Sequence, residues 1–139
     1  MAGRISTVFF WCNSVKEVRA FYSGVLGLAE SFGDDAQGVA YDLSGAGEAQ
    51  QFFFLPGPEP LPVQREWAMS PSFSGDKIAI PSWVVEVAPA DFDTVVARAQ
   101  ASEVTFHPDG ESGWDGHRQI YLKDPMGNTV ELYAPPAEA

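Results

Sequence analysis

RQIYLKDPMGNTVELYAPP, from Arg118 to Pro136, carries the clearest structural signal in the chain. Polar and apolar residues alternate on both sides of Asp124-Pro125-Met126-Gly127-Asn128, the pattern of half-buried strands. Proline presets φ for a turn, glycine takes a positive φ at no steric cost, and Asp and Asn bond their own backbone. The stretch therefore predicts a β-hairpin, with strands at His117–Lys123 and Asn128–Tyr133. Working back from it, Glu103 to His107 has strand character. Before that, Pro89-Ala90-Asp91 opens a helix with Phe92, Val95, Val96 and Ala99 on one face. Proline suits that position because its missing N–H would be unpaired in a first turn anyway. The apolar run Ile78 to Val87 precedes the helix, so this half reads β-α-β-β-β.

The same order stands at the other end. An apolar run from Ile5 to Cys12 leads to apolar positions at Val15, Val18, Phe21, Tyr22, Val25 and Leu26, a strand followed by an amphipathic helix. Ser14 and Glu17 form a capping box and Gly27 supplies a left-handed stop. Segments at Ala29–Phe32, Gly38–Leu43 and Gln50–Leu55 read as strands, separated by Gly33-Asp34-Asp35 and Ser44-Gly45-Ala46-Gly47. Two β-α-β-β-β units at a spacing of about seventy-five residues are an internal duplication. Between them, Pro56, Pro58, Pro60, Pro62 and Pro71 rule out a central strand. The expected organisation is one domain over 1–139, with module one at 1–57, a proline-rich connector at 58–77 and module two at 78–139. Trp67, Met69 and Phe73 are unusual for a solvated linker, so part of the connector is expected to pack over apolar surface.

At 139 residues, 45% hydrophobic and 19% charged, the chain suits one compact domain with a core. No apolar run approaches the ~20 residues of a membrane-spanning helix, and MAGRIST lacks the pattern of a secretory signal. Eight Lys and Arg against nineteen Asp and Glu leave a net charge of −11, which repels nucleic acid and anionic lipid. A cytoplasmic location is expected, with neither of those as partner. Cys12 is the one cysteine, so no internal disulfide forms, and its apolar neighbours suggest a buried thiol.

FWCNSVKEVRAFYSGVLGL (Phe10–Leu28) and the hairpin stretch above, with its Asp-Pro-x-Gly-Asn-x-x-Glu-Leu ending, resemble the glyoxalase, bleomycin-resistance and extradiol-dioxygenase superfamily, the vicinal oxygen chelate proteins. The resemblance spans nearly the whole chain. It implies an α+β fold of two βαβββ modules whose curved sheet encloses a central cavity, and a homodimer. It also implies where metal ligands would stand in the metal enzymes: at Thr7 and Ser82 on the first strand of each module, near Gln51 or Phe52, and at Glu131 on the last strand. Metal enzymes usually carry His or Gln at the first two positions, so this chain departs from the pattern. Zinc, nickel, iron and manganese need several imidazole, carboxylate or thiolate donors, and Glu131 alone supplies one. No metal or other cofactor is therefore expected; a divalent nickel, zinc, iron or manganese ion is the alternative. His117 lies four residues from Tyr121, the expected partner of Glu131, about 13 Å away at ~3.3 Å per residue. His107, beside Pro108, is expected at the sheet edge.

Strand alternation then sorts the lining. Val8, Phe10 and Cys12 are expected to pack under the first helix, leaving Thr7, Phe9 and Trp11 pointing inward to the cavity. The same parity turns Ser82, Val84 and Glu86 inward and, from the final hairpin, Gln119, Tyr121, Glu131 and Tyr133. An aromatic lining with a few polar groups and an acid suits a flat or cationic organic molecule. With the resemblance, two functions are implied. One is small-molecule binding of the drug-sequestering type. The other is a lyase, isomerase or ring-cleaving oxygenase, either metal-dependent or with Glu131 as general base and Tyr121 or Tyr133 donating to an oxyanion. Cys12 has the wrong parity for a nucleophile on that face. Gly45-Ala46-Gly47 lacks the helix a phosphate loop requires. Trp114-Asp115-Gly116 reads as loop, with Trp114 opposite Trp67 at the cavity mouth.

Overall fold

A computed structural model describes residues 2–43, 50–68 and 80–138. The chain divides into two compact units, Met1–Pro62 and Val63–Ala139, so the proline-rich connector is shared between them. Residues 44–49, and Met69, Pro71 and Phe73 of the connector, lie outside the described residues, as do Ile78 and Ala79.

In the first unit, β1 (Thr7–Cys12) leads into α1 (Val15–Arg19), then β2 (Glu30–Asp34), β3 (Gly38–Asp42) and β4 (Gln51–Pro56). The sheet order is β1-β4-β3-β2, with β1 parallel to β4 and the other pairs antiparallel. Ser14 caps the helix as expected, its Oγ accepting from the Glu17 amide at 3.1 Å. From Ala20 to Val25 the helix continues with π-type winding, closed by a bond from the Leu26 amide to the Phe21 carbonyl. All six expected apolar positions of the helix are buried. They lie over Phe52, Phe54, Val39 and Tyr41, with the Tyr22 ring 5.0 Å from Phe54 and 5.7 Å from Tyr41. Cys12, on the same side of the sheet, is wholly enclosed.

The second unit repeats the plan. β5 (Ser82–Glu86) is followed by a 3-10 turn at Pro89–Asp91, α2 (Phe92–Ala101), β6 (Ser112–Trp114), β7 (His117–Lys123) and β8 (Thr129–Ala134). The order β5-β8-β7-β6 matches the first unit strand for strand, with β5 parallel to β8. The fold is α+β, built of two βαβββ modules. Phe92, Val95 and Ala99 of α2 are buried with Val85, Ile120, Leu122, Val130, Leu132 and Ala134 of the sheet. Arg118 completes that side: its guanidinium lies 4.3 Å from the Phe92 ring centroid and bonds Glu111 and Asp93. The hydrogen bond and charge of Arg118 hold the Asp93 carboxyl below its usual range.

The final hairpin forms in the expected register, Tyr121 opposite Glu131. The Asp124 carboxylate closes it by accepting from the amides of Met126 and Asn128, each at 2.9 Å. Two details differ from expectation. Glu103–His107 makes only one bridge, Phe106 to Leu122. The His107 amide bonds the Tyr121 carbonyl, but the next residue is Pro108, which has no N–H to extend a ladder. The third strand is instead β6; of Trp114-Asp115-Gly116, expected as loop, Trp114 ends β6 and only Asp115 and Gly116 join it to β7. Asp115 and Gly116 have φ of +46° and +84°, the signature of a two-residue type I′ hairpin turn, for which Asp-Gly is a preferred pair.

Candidate functional site

In each unit the helix covers one side of the sheet, and the other side is the open face that strand alternation singles out. In the first unit Thr7, Phe9 and Trp11 stand on it, with Phe9 61% and Trp11 55% exposed. The register sets Phe9 beside Phe53, Phe53 beside Ala40 and Ala40 beside Phe32. A bulge between Glu30 and Phe32 brings both Ser31 and Phe32 to this face, where Phe32 stacks on Phe53 at 5.9 Å and Phe9 meets Phe53 at 5.8 Å. Thr7 pairs with Gln51, whose side-chain carbonyl accepts from Ser31. Phe52, the alternative to Gln51, turns the other way and is buried beneath the helix. Phe53 and Phe32 were missed, although the parity of the strand containing Gln51 places Phe53 on this face.

The open face of the second unit carries the remaining candidates. Ser82, Val84 and Glu86 of β5 are exposed. Val84 pairs with Glu131 and Glu131 with Tyr121; Glu86 pairs with Tyr133 and Tyr133 with Gln119. Glu131 and Tyr133 are half-buried, whereas Gln119 and Tyr121 are enclosed. The Gln119 amide donates to Ser112 at 3.1 Å.

Aromatic groups mark both ends of this face. At one, Trp114 stacks on His117 with ring centroids 4.7 Å apart, and His117 Nδ1 lies 2.6 Å from the Tyr133 hydroxyl. At the other, Trp67 meets the His107 ring edge-on at 4.9 Å, so this part of the connector packs against the second unit, on an imidazole and an amine. Its backbone is stitched to the unit. The Gln64 amide donates to the Met126 carbonyl and the Ala68 amide to Thr129 Oγ1, both at 2.8 Å. Lys123 Nζ donates to the carbonyls of Glu66 at 2.6 Å and Gly127 at 3.0 Å, and lies 4.6 Å from the Trp67 ring centroid. Burial pushes the Lys123 amine below its usual range. His107 sits at the sheet edge as expected, its Nδ1 accepting from the Asp109 amide at 3.1 Å. The pairing of His117 with Tyr133 was missed. The signal was present: His117 shares the parity of Gln119 and Tyr121, and Asp-Gly before it marks a hairpin.

A model of the Glyoxalase/Bleomycin resistance protein/Dioxygenase superfamily matches residues 4–132. The chain belongs to this superfamily. A glyoxalase/dioxygenase from Nostoc punctiforme superposes with a TM-score of 0.70 at 16% identity, over 96% of this chain and 92% of that one. The fosfomycin resistance protein FosX from Listeria monocytogenes gives 0.63 at 15% identity, over 97% and 95%. A lactoylglutathione lyase from Agrobacterium tumefaciens gives 0.58 at 21%, over 96% and 94%. These likenesses establish the fold. No curated protein matches the chain in sequence.

The four ligand positions implied by the superfamily can now be tested as donors. Thr7 and Ser82 offer hydroxyls, Gln51 a neutral amide and Glu131 the one carboxylate. Zinc, nickel, iron and manganese are held by imidazole, thiolate and carboxylate donors in three or four places. This set does not fit such an ion. Among the described residues no group of three His, Cys, Asp or Glu side chains could hold a metal. Nor is any described helix long and apolar enough to cross a membrane.

Proposed function

We propose that this is a metal-free small-molecule-binding member of the superfamily, taking a flat aromatic, preferably cationic, organic molecule on the open faces of its sheets. The observation that carries the reading is the exposure of large aromatic side chains on the sides of the sheets away from the helices. Phe9, Trp11, Phe32 and Trp114 are between 41% and 61% exposed. Rings of this kind hold planar ligands by stacking and cations through their π faces. The exposed Glu86 and half-buried Glu131 supply negative charge beside Tyr133 and Tyr121. The net charge of −11 raises the local concentration of cations.

Titration calorimetry with a panel of planar aromatic cations, such as methylated quinolinium and acridinium dyes, tests this. Micromolar binding is expected, weakened about tenfold by Trp114→Ala or Phe9→Ala, the size of one lost stacking contact. Binding no tighter than millimolar across the panel would overturn it. The same reading includes a homodimer, which sedimentation equilibrium would report.

The pairing of Glu131 with Tyr121 favours a second reading, a metal-free enzyme in which Glu131 is the general base. Full activity retained by Glu131→Gln, on any substrate the protein turns over, would exclude it.

A further inference from the structure

The bond between His117 and Tyr133 has a geometry that ligand stacking does not require. His117 Nδ1 and Tyr133 Oη are 2.6 Å apart, and the two rings are inclined by 16° with centroids 5.8 Å apart. Atoms of stacked rings stay about 3.5 Å apart or more. The two rings therefore lie edge to edge, nearly in one plane. A phenol O–H is a stronger acid than the N–H of a neutral imidazole, and an imidazole nitrogen is the better acceptor. Tyr133 thus donates and Nδ1 accepts, which fixes the remaining imidazole proton on Nε2. Trp114 lies over the imidazole at 13° and is 6.4 Å from the Tyr133 ring. The two-residue turn that sets Trp114 opposite His117 holds it there. Both His117 and Tyr133 remain partly exposed on the open face.

We propose that Tyr133 and His117 form a proton relay that deprotonates a flat aromatic substrate lying on this face. Tyr133 Oη takes the proton from the substrate carbon as its own proton passes to Nδ1 of His117. Tyr133 ends neutral, His117 ends as the imidazolium, and the substrate keeps the electron pair. A tyrosine alone is a poor base near neutral pH, because its phenol is fully protonated. Passing its proton to an imidazole gives the relay a base matched to that range. Tyr133 is the catalytic residue, since its oxygen meets the substrate; His117 acts through it. The charged groups around the pair are Glu86 on β5 opposite Tyr133, Glu131 two residues along β8 and Asp115 in the adjoining turn. Arg118 is on the other side of the sheet, held by Glu111 and Asp93.

The inference rests on the reading above that flat molecules lie on this face, and its test separates the two. In 5-nitrobenzisoxazole, removal of the ring C–H proton breaks the N–O bond, forms a nitrile and releases a coloured phenolate, with no other reagent. The full-length protein is expected to accelerate this elimination beyond an equal concentration of imidazole, with a rate that rises with pH. Tyr133→Phe, which keeps the ring and loses only the hydroxyl, is expected to slow it about 100-fold, the usual scale of general-base catalysis. His117→Gln is expected to slow it similarly and to flatten that pH dependence, which Tyr133→Phe in a merely structural role would not do. A wild-type rate no higher than that of imidazole overturns the relay, as does a Tyr133→Phe variant with the wild-type rate and profile. Calorimetry with 5-nitrobenzotriazole, equally flat but without the acidic C–H, reads binding alone. Binding without elimination overturns the relay and leaves the ligand reading standing; no binding and no elimination overturn the relay, and the dye titrations above decide the ligand reading.

Discussion

Arg19 shows how one side chain can tie a helix to a sheet. Its guanidinium bonds both oxygens of Glu30 and, through its third nitrogen, Asp35. Ser23 adds a bond to the same Glu30 carboxylate and meets the Tyr41 hydroxyl at 2.7 Å. The Arg19 hydrogen bond, then that of Ser23, lowers the Glu30 carboxyl from its ordinary 4.5, while burial pushes the Tyr41 phenol up to about 12. A carboxyl depressed on folding stabilises the native state above its unfolded pKa and loses that contribution as pH falls through the folded value. Glu30→Gln should therefore lower the urea midpoint near neutral pH, with the difference from wild type shrinking below about pH 4. Urea titrations at both pH values measure it. A difference that stayed constant would remove Glu30 from the account. The opposite limb belongs to Tyr41. A phenol raised on folding favours the native state until the unfolded chain ionises, so its contribution is lost as pH climbs from 10 toward 12.

Between elements, the stitch joining Gln64–Ala68 to the β7–β8 hairpin depends on a position without a side chain. Gly127 has a φ of +76°, and a Cβ there would overlap the Gln64 carbonyl oxygen. Gly127→Ala is expected to cost about 2 kcal/mol, by strain in the left-handed region and by displacing Gln64. It should also hasten tryptic cleavage after Arg65, a bond the docked backbone protects. Unchanged stability and cleavage would mean that the segment is not held as described. The hairpin itself was legible because its turn chemistry and its alternation agree, and each module's helix because Val15 to Leu26 and Phe92 to Ala99 keep the helical period. The third strand of module two was not. Glu103–His107 has the better strand composition, but Pro108 ends its pairing, and the three residues of β6 are too few to show a period. The π-type winding of Ala20–Val25 leaves no mark either, since its buried positions also satisfy an ordinary helix. Candidate residues were legible through parity alone, which assigned a side of the sheet to each but said nothing of the bond between His117 and Tyr133.

For the whole molecule, the net charge of −11 becomes a quantity to measure. If cations are drawn to the faces by that field, raising ionic strength from about 0.01 M to 0.15 M should weaken a monocationic dye severalfold while leaving an uncharged analogue unaffected, as the Debye length contracts from ~30 to ~8 Å. Equal salt dependence for the two would assign the affinity to stacking alone. The two modules share one strand order yet differ where they correspond: Phe9 and Trp11 on β1 answer to Val84 and Glu86 on β5. One face has become aromatic and the other mixed. Cys12, wholly enclosed under the first helix and the only cysteine in the chain, leaves the folded protein silent to thiol-directed dyes. A cysteine introduced at Val84 would then be the single addressable point on the molecule, and a fluorophore attached there would turn occupancy of that face into a colour.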